Sequence, residues 1–206
     1  MKTTTTRAVI LGHRQFGEND KVIHLYSQDL GKIETIAKGS KKIASKFTGH
    51  LETLNLVEAA LYFGPRNIIL TEIVSEKNFI GSSENLDTML NAIQIANTIK
   101  NLVPENQIID NLLPLTIDTI KHLQLENKAE MINLAFTIKL LKMLGYTPDF
   151  KSIESKMAEK YLKFLHFVGT QGYSEICRIR LENNEKHELK KILNRILEYH
   201  HLKVLI

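Results

Sequence analysis

The densest chemistry in the 206-residue chain is a run of cations, Ala37-Lys38-Gly39-Ser40-Lys41-Lys42, with Lys46 close behind. Closely spaced lysines neutralise successive phosphates and release their counterions, which is the sequence-independent part of nucleic-acid binding. Gly39 would let the backbone come close to a strand. A second group lies in His13-Arg14-Gln15-Phe16-Gly17-Glu18-Asn19-Asp20, where Arg14 can pair with a phosphate and Phe16 can stack on a base. The sequence favours a blander role for Phe16, folded back on its own domain, with Asn19-Asp20 capping a turn. Arg66, beside Gly64-Pro65, belongs either to the same surface or to a plain hairpin. Arg14, Lys38, Lys41, Lys42, Lys46 and Arg66 are thus the candidate contacts to a polyanion. The competing reading of the lysines is a solvated loop with no partner.

Other chemistries find little support. The chain has no Gly-x-Ser-x-Gly elbow, no P-loop and no Gly-x-Gly-x-x-Gly. Cys177 is the only cysteine, so no intrachain disulfide forms, and it reads as a small apolar core residue within Glu175–Leu181. None of the eight histidines pairs at metal spacing; on a helix the adjacent His200 and His201 diverge by about 100°. No catalytic residue, cofactor or metal is expected. The N-terminal apolar run is too short for a secretory signal, and no stretch approaches the roughly 18 apolar residues of a membrane span, so a cytoplasmic protein is expected. The net charge of +4 is only a weak pointer to polyanions, but its excess lies in the first 79 residues.

The elements that must position these groups fall into two halves. Thr4–Leu11, Val22–Ser27, Lys32–Lys38, Leu54–Phe63 and Asn67–Val74 read as five short strands, with polar, basic Ser40–Glu52 between the third and fourth. A five-stranded OB barrel places a connection there; periodicity alone leaves an SH3-like barrel open. After Phe79 the period changes to helical. Ser83 is a candidate N-cap, and Leu86, Leu90, Ile93 and Asn97 form a stripe. Lys128–Leu144 carries a second stripe, Met131, Leu134, Ile138 and Leu141, and ends at Gly145 as a C′ glycine. Ser155–Val168 and Glu185–His200 read as further helices, the last with Leu189, Ile192, Leu193, Ile196 and Leu197 on one face. The expected fold is α+β: a five-stranded OB-type barrel over 1–79 and an all-α, zinc-free domain over 80–206.

The combination of Phe16-Gly17-Glu18-Asn19-Asp20-Lys21, Gly31-Lys32-Ile33, Ala37-Lys38-Gly39-Ser40-Lys41-Lys42, Thr53–Glu58 and Leu140–Asp149 resembles the RecO family. The resemblance touches both halves in order. It implies a non-enzymatic, nucleoid-associated mediator of DNA repair that binds single- and double-stranded DNA and anneals complementary strands. It further implies work with RecR in loading RecA on DNA coated by single-strand binding protein. Lys38, Lys41 and Lys42 fall on the family's basic motif, and Arg14 falls in the facing loop. Many relatives carry a four-cysteine zinc site after the Leu-Gly-Tyr-x-Pro-Asp motif. Phe150–Lys156 holds no cysteine here, so apolar packing by Met157, Leu162, Leu165 and Phe167 is expected to replace it. The acidic, apolar tail of single-strand binding protein is expected to dock on the helical half, at Phe136–Met143 with Lys139 and Lys142 or at Leu189–Leu197 with Lys190, Lys191 and Arg195. Two other readings stay open: an OB-type RNA-binding or translation-associated module, and an adaptor that binds only proteins.

Overall fold

The computed structural model describes residues 3–78, 85–126, 128–146, 156–200 and 202. Strands β1 (Thr3–Phe16), β2 (Asp20–Ser27), β3 (Gly31–Ala37), β4 (Leu56–Phe63) and β5 (Ile68–Lys77) close into a barrel in the order β1-β2-β3-β5-β4. The pairs are antiparallel except β3 with β5, which meet in parallel at Ile36 and Ile69. That closure is the OB arrangement and separates it from the SH3-like alternative. Strand alternation points Ile23, Leu25, Ile33 and Ala37 inward, with Ile10, Leu61 and Leu70. From the connection between β3 and β4, Phe47 and Leu51 drop into the barrel core.

The largest departure from the sequence reading is β1. Gly12 looked like the end of a strand. It instead sits at a β-bulge, with φ +129°, where the register slips between Ile10 and Gly12. A glycine at a bulge bends a strand without ending it. His13–Phe16 therefore continue β1 and pair with Ile23–Asp20, so the expected eight-residue loop shrinks to Gly17-Glu18-Asn19.

The helices are α1 (Leu86–Leu102), α2 (Leu112–Leu125), α3 (Ala129–Met143), α4 (Lys156–Val168), the short α5 (Tyr173–Ile176) and α6 (Asn183–Tyr199). Asn85 caps α1, its side-chain oxygen accepting the Asp87 N–H; the candidate cap Ser83 lies outside the described residues. The stripe expected on α1 faces out: Leu86, Leu90 and Ile93 are exposed, while Ala92, Ile95, Ala96, Ile99 and Leu102 are buried. Alanines on the true core face weakened its apolar signal. α3 is buried nearly all round, so its stripe was only part of the contact. It ends in a Schellman motif: Gly145, φ +80°, donates to the Lys142 carbonyl and Tyr146 donates to that of Leu141. On α4, Tyr161, Leu165 and Val168 face the core, whereas Phe167 is exposed and Leu162 half-buried; the Met157 side chain lies outside the described residues. α6 buries the expected Leu189, Leu193, Ile196 and Leu197, with Ile192 half-buried.

The two halves share one core. Val9, Leu11, Tyr26, Leu54 and Leu56 of the barrel pack with α1, α2 and α3. The boundary drawn at 79/80 falls among residues 79–84, outside the described residues. The seam is stitched by polar bonds as well. Tyr26 Oη accepts the Ile109 N–H at 2.8 Å. Lys32, at the start of the third strand read from the sequence, is buried: its Nζ donates to the Lys100 carbonyl at 2.6 Å and pairs with Glu105 at 3.1 Å. An ammonium near the carbonyl end of α1 complements that helix's dipole.

Among the described residues no three His, Cys, Asp or Glu side chains group to hold a metal. With one cysteine in the chain, the four-cysteine site of the resemblance has no ligands here. Elemental analysis of purified, untagged protein is expected to find no stoichiometric zinc; zinc surviving chelator dialysis would contradict that. Among the described residues no helix is long and apolar enough to cross a membrane.

Candidate nucleic-acid interface

Asp20 begins β2, and its carboxylate accepts the Gly39 N–H at 2.8 Å; the neighbouring Asn19 carbonyl accepts the Lys41 N–H at 3.0 Å. The Gly-Glu-Asn-Asp and Ala-Lys-Gly segments, far apart in sequence, are thus one clamped unit. Gly39 has φ +68°, so it serves the turn. A Cβ there would meet only the Lys42 side chain, at 3.7 Å, so within the chain the position is open. The clamp holds out Lys38, Lys41, Lys42 and Lys46. All four are exposed, and among the described residues none is ion-paired; Lys46 Nζ lies 5.6 Å from the Phe47 ring centroid.

Beside this turn runs a cleft of about 470 Å³ across the outer face of β1, β2 and β3. Arg14, Val22 and Ile36 form one cross-strand row of it. Phe16 stands in the next row, opposite Asp20, at the end where the lysine turn is fastened. Arg66 closes the cleft from the β4–β5 turn, and Glu105 and Asn106 close it from the helical half. In OB barrels the β2–β3 face with the β1–β2 and β4–β5 loops is where oligonucleotides lie. The structure therefore brings Arg14 and Arg66 together in the cleft, and the bonds from Asp20 and Asn19 fasten the Lys38–Lys42 turn near the Phe16 end; none of the four lysines lines the cleft itself. Arg14 lies in a strand, where a loop was expected. Phe16 is 45% exposed and lines the cleft, contrary to the folded-back position the sequence favoured.

Sequence reasoning missed Glu34. Its carboxylate pairs with Arg14 at 3.4 Å and with His24 Nδ1 at 3.2 Å. Burial holds the His24 pKa down, with Glu34 opposing. The signal was present: alternation put Glu34 and Ile36 on the outer face. A phosphate approaching Arg14 meets this carboxylate. Glu34→Gln is expected to tighten binding to an oligonucleotide about twofold to fivefold, the scale of an exposed charge pair; a titration showing weaker binding would contradict that role.

The helical half has its own cleft, of about 570 Å³, between α2 and α3. Pro114, Leu115 and Met143 give it an apolar wall, with Lys139 and Lys142 at its side and Asp118 across. Burial lowers the Lys139 pKa, with Lys142 adding to the effect. Phe136 is fully buried and does not reach this surface. At the alternative on α6 the leucines fill the core, Lys190 pairs with Glu130, and Lys191 pairs with Glu188. Cys177 is buried and its thiol pKa is raised by that burial, the opposite of an activated nucleophile.

Comparison with known proteins agrees with this geometry. The family model "Recombination protein O N terminal" matches residues 1–73, and "Recombination protein O C terminal" matches residues 83–153. DNA repair protein RecO of Clostridium novyi (strain NT) is 30% identical over 176 residues, 84% of this chain and 67% of the relative. That of Dehalococcoides mccartyi (strain 195) is 27% identical over 172 residues, 84% and 68%. That of Caldanaerobacter subterraneus subsp. tengcongensis is 23% identical over 231 residues, 97% and 94%. With both family models matched in order on a barrel and a helical half, the chain belongs to the RecO family of DNA repair and recombination proteins.

Proposed function

We propose that this chain binds single- and double-stranded DNA through Arg14, Lys38, Lys41, Lys42, Lys46 and Arg66. In this reading it anneals complementary strands without catalysing a reaction, and with RecR it helps RecA onto DNA coated by single-strand binding protein, acting in the cytoplasm at the nucleoid. Residues 1–79 carry the DNA and residues 80–206 the protein partners. The observation that supports this most is the clamped turn with four exposed, unpaired lysines at the end of an OB-face cleft. Backbone phosphates are the common chemistry of both DNA forms, and unpaired cations on a pre-shaped turn suit them without base contacts. Titrating the full chain with DNA and RNA oligomers of one sequence at several salt concentrations tests the reading. DNA binding that weakens with salt is expected. Preference for RNA would favour the RNA-binding module, and no salt-dependent binding to either would favour the protein adaptor.

The tail of single-strand binding protein is assigned to the α2–α3 cleft. An apolar wall with adjacent ammonium groups suits a terminal aromatic side chain and its carboxylate. Calorimetry of the full chain with a tail peptide is expected to show binding that weakens with salt, is lost on deleting the peptide's terminal Phe, and falls about tenfold in Lys139→Ala, the scale of a lost charged hydrogen bond. Unchanged affinity in that variant would move the tail elsewhere.

A further inference from the structure

The β3–β4 connection displays an apolar side chain where solubility would place none. Ile43 is 103% exposed, more open than in an extended chain, and lies between Lys42 and Lys46. The segment around it is anchored. Lys41 donates to Asn19, Lys42 to Gly39, Ser45 to Lys42 and Thr48 to Ser45, all through backbone bonds of 3.0–3.2 Å. Phe47 and Leu51 fix its far side in the barrel core. Ile43 is therefore held out by its surroundings. The other apolar group beside these cations is Phe16, on the strand that leads into the turn clamped to Gly39 and Lys41.

Cations interleaved with bare apolar side chains fit a ligand that offers negative charge and apolar faces together. An unpaired nucleic-acid strand does, with phosphates on one side and unstacked bases on the other. An intact duplex hides its base faces and offers only phosphate. We propose that Ile43, together with the exposed Phe16, contacts unstacked bases and makes this basic turn discriminate unpaired strands from duplex. The inference rests on the reading of the barrel as a DNA-binding module. An anionic lipid surface also combines charge with apolar matter, and vesicles are therefore included among the probes below.

The test uses the full chain, wild type and Ile43→Ser, with four probes: a single-stranded DNA oligomer, an abasic oligomer of equal length, the blunt duplex, and phosphatidylglycerol vesicles. Ile43→Ser should lower affinity for the single strand about fivefold, the low end of base-contact energies. Abasic and duplex affinities should stay unchanged, as should the salt slope, and Ile43→Leu should restore binding. An unchanged single-strand-to-abasic ratio in Ile43→Ser overturns the proposal while leaving DNA binding by the barrel intact. Loss of vesicle binding with unaltered DNA affinity overturns it in favour of lipid. Wild-type protein that binds no oligomer overturns both this proposal and the reading beneath it.

Discussion

Replacing Lys38, Lys41 and Lys42 together by alanine is expected to weaken single-stranded DNA binding by about 100-fold at 0.1 M salt. Each lost phosphate contact removes about 0.7 from the slope of log affinity against log salt on single strands, so three contacts amount to about two powers of ten at that concentration. The loss should be nearly the same for every sequence, because phosphates carry no sequence information. All three side chains are exposed and unpaired, so the fold should tolerate the change. Their setting is a turn fixed by Asp20 and Asn19, which lets the effect be read as lost charge. A folded triple variant with an unchanged salt slope would remove this turn from the interface.

The second large effect is on stability, at the seam. Gly31 has φ +72°, and a Cβ built there would lie 2.2 Å from the Gln107 carbonyl oxygen and 2.4 Å from its carbon. Those are backbone atoms of the α1–α2 connection, so no side-chain rotation relieves the clash. The next residue, Lys32, accepts the Asn106 N–H on its carbonyl at 2.8 Å and sends its own ammonium to Lys100 and Glu105. Gly31→Ala thus pushes apart the place where the barrel is bonded to the helices. Left-handed backbone costs about 1–2 kcal/mol, and overpacking about 1–3 kcal/mol. Together these predict a loss of about 2–5 kcal/mol, read as a drop in thermal midpoint of order 10 °C for a chain of this size. A midpoint within a degree or two of wild type would mean that the seam yields freely.

Much of this was legible in the sequence, for reasons specific to each element. β2 and β3 announced themselves because one face is apolar and the other mixed, and α6 because its leucines recur at helical spacing over a lysine-rich back. The clamp at Asp20 and Gly39 was not legible, since local pattern carries no information about a bond between residues 19 apart. β1 was cut short because a glycine in a strand reads as an end until a partner strand shows the bulge. Tyr26, which alternation sets on the face opposite Ile23 and Leu25, is buried against Ile109 of the helical half, a tertiary contact that no window of sequence contains. The same holds for Lys32, which is a surface cation by composition and a seam residue by structure. Charge type was legible for all six candidate contacts; alternation put Glu34 on the outer face, but its pairing with Arg14 was not legible, because the two meet only across β2.

The central claim is that this chain acts on DNA strands by binding and pairing them, with no chemical step. Annealing of complementary oligomers pre-coated with single-strand binding protein, followed by fluorescence without nucleotide or metal, tests it most directly. The full chain is expected to accelerate annealing, the acceleration to fade as salt rises, and the triple lysine variant to lose it. Annealing no faster than the protein-free rate at low salt, from folded protein, would contradict it.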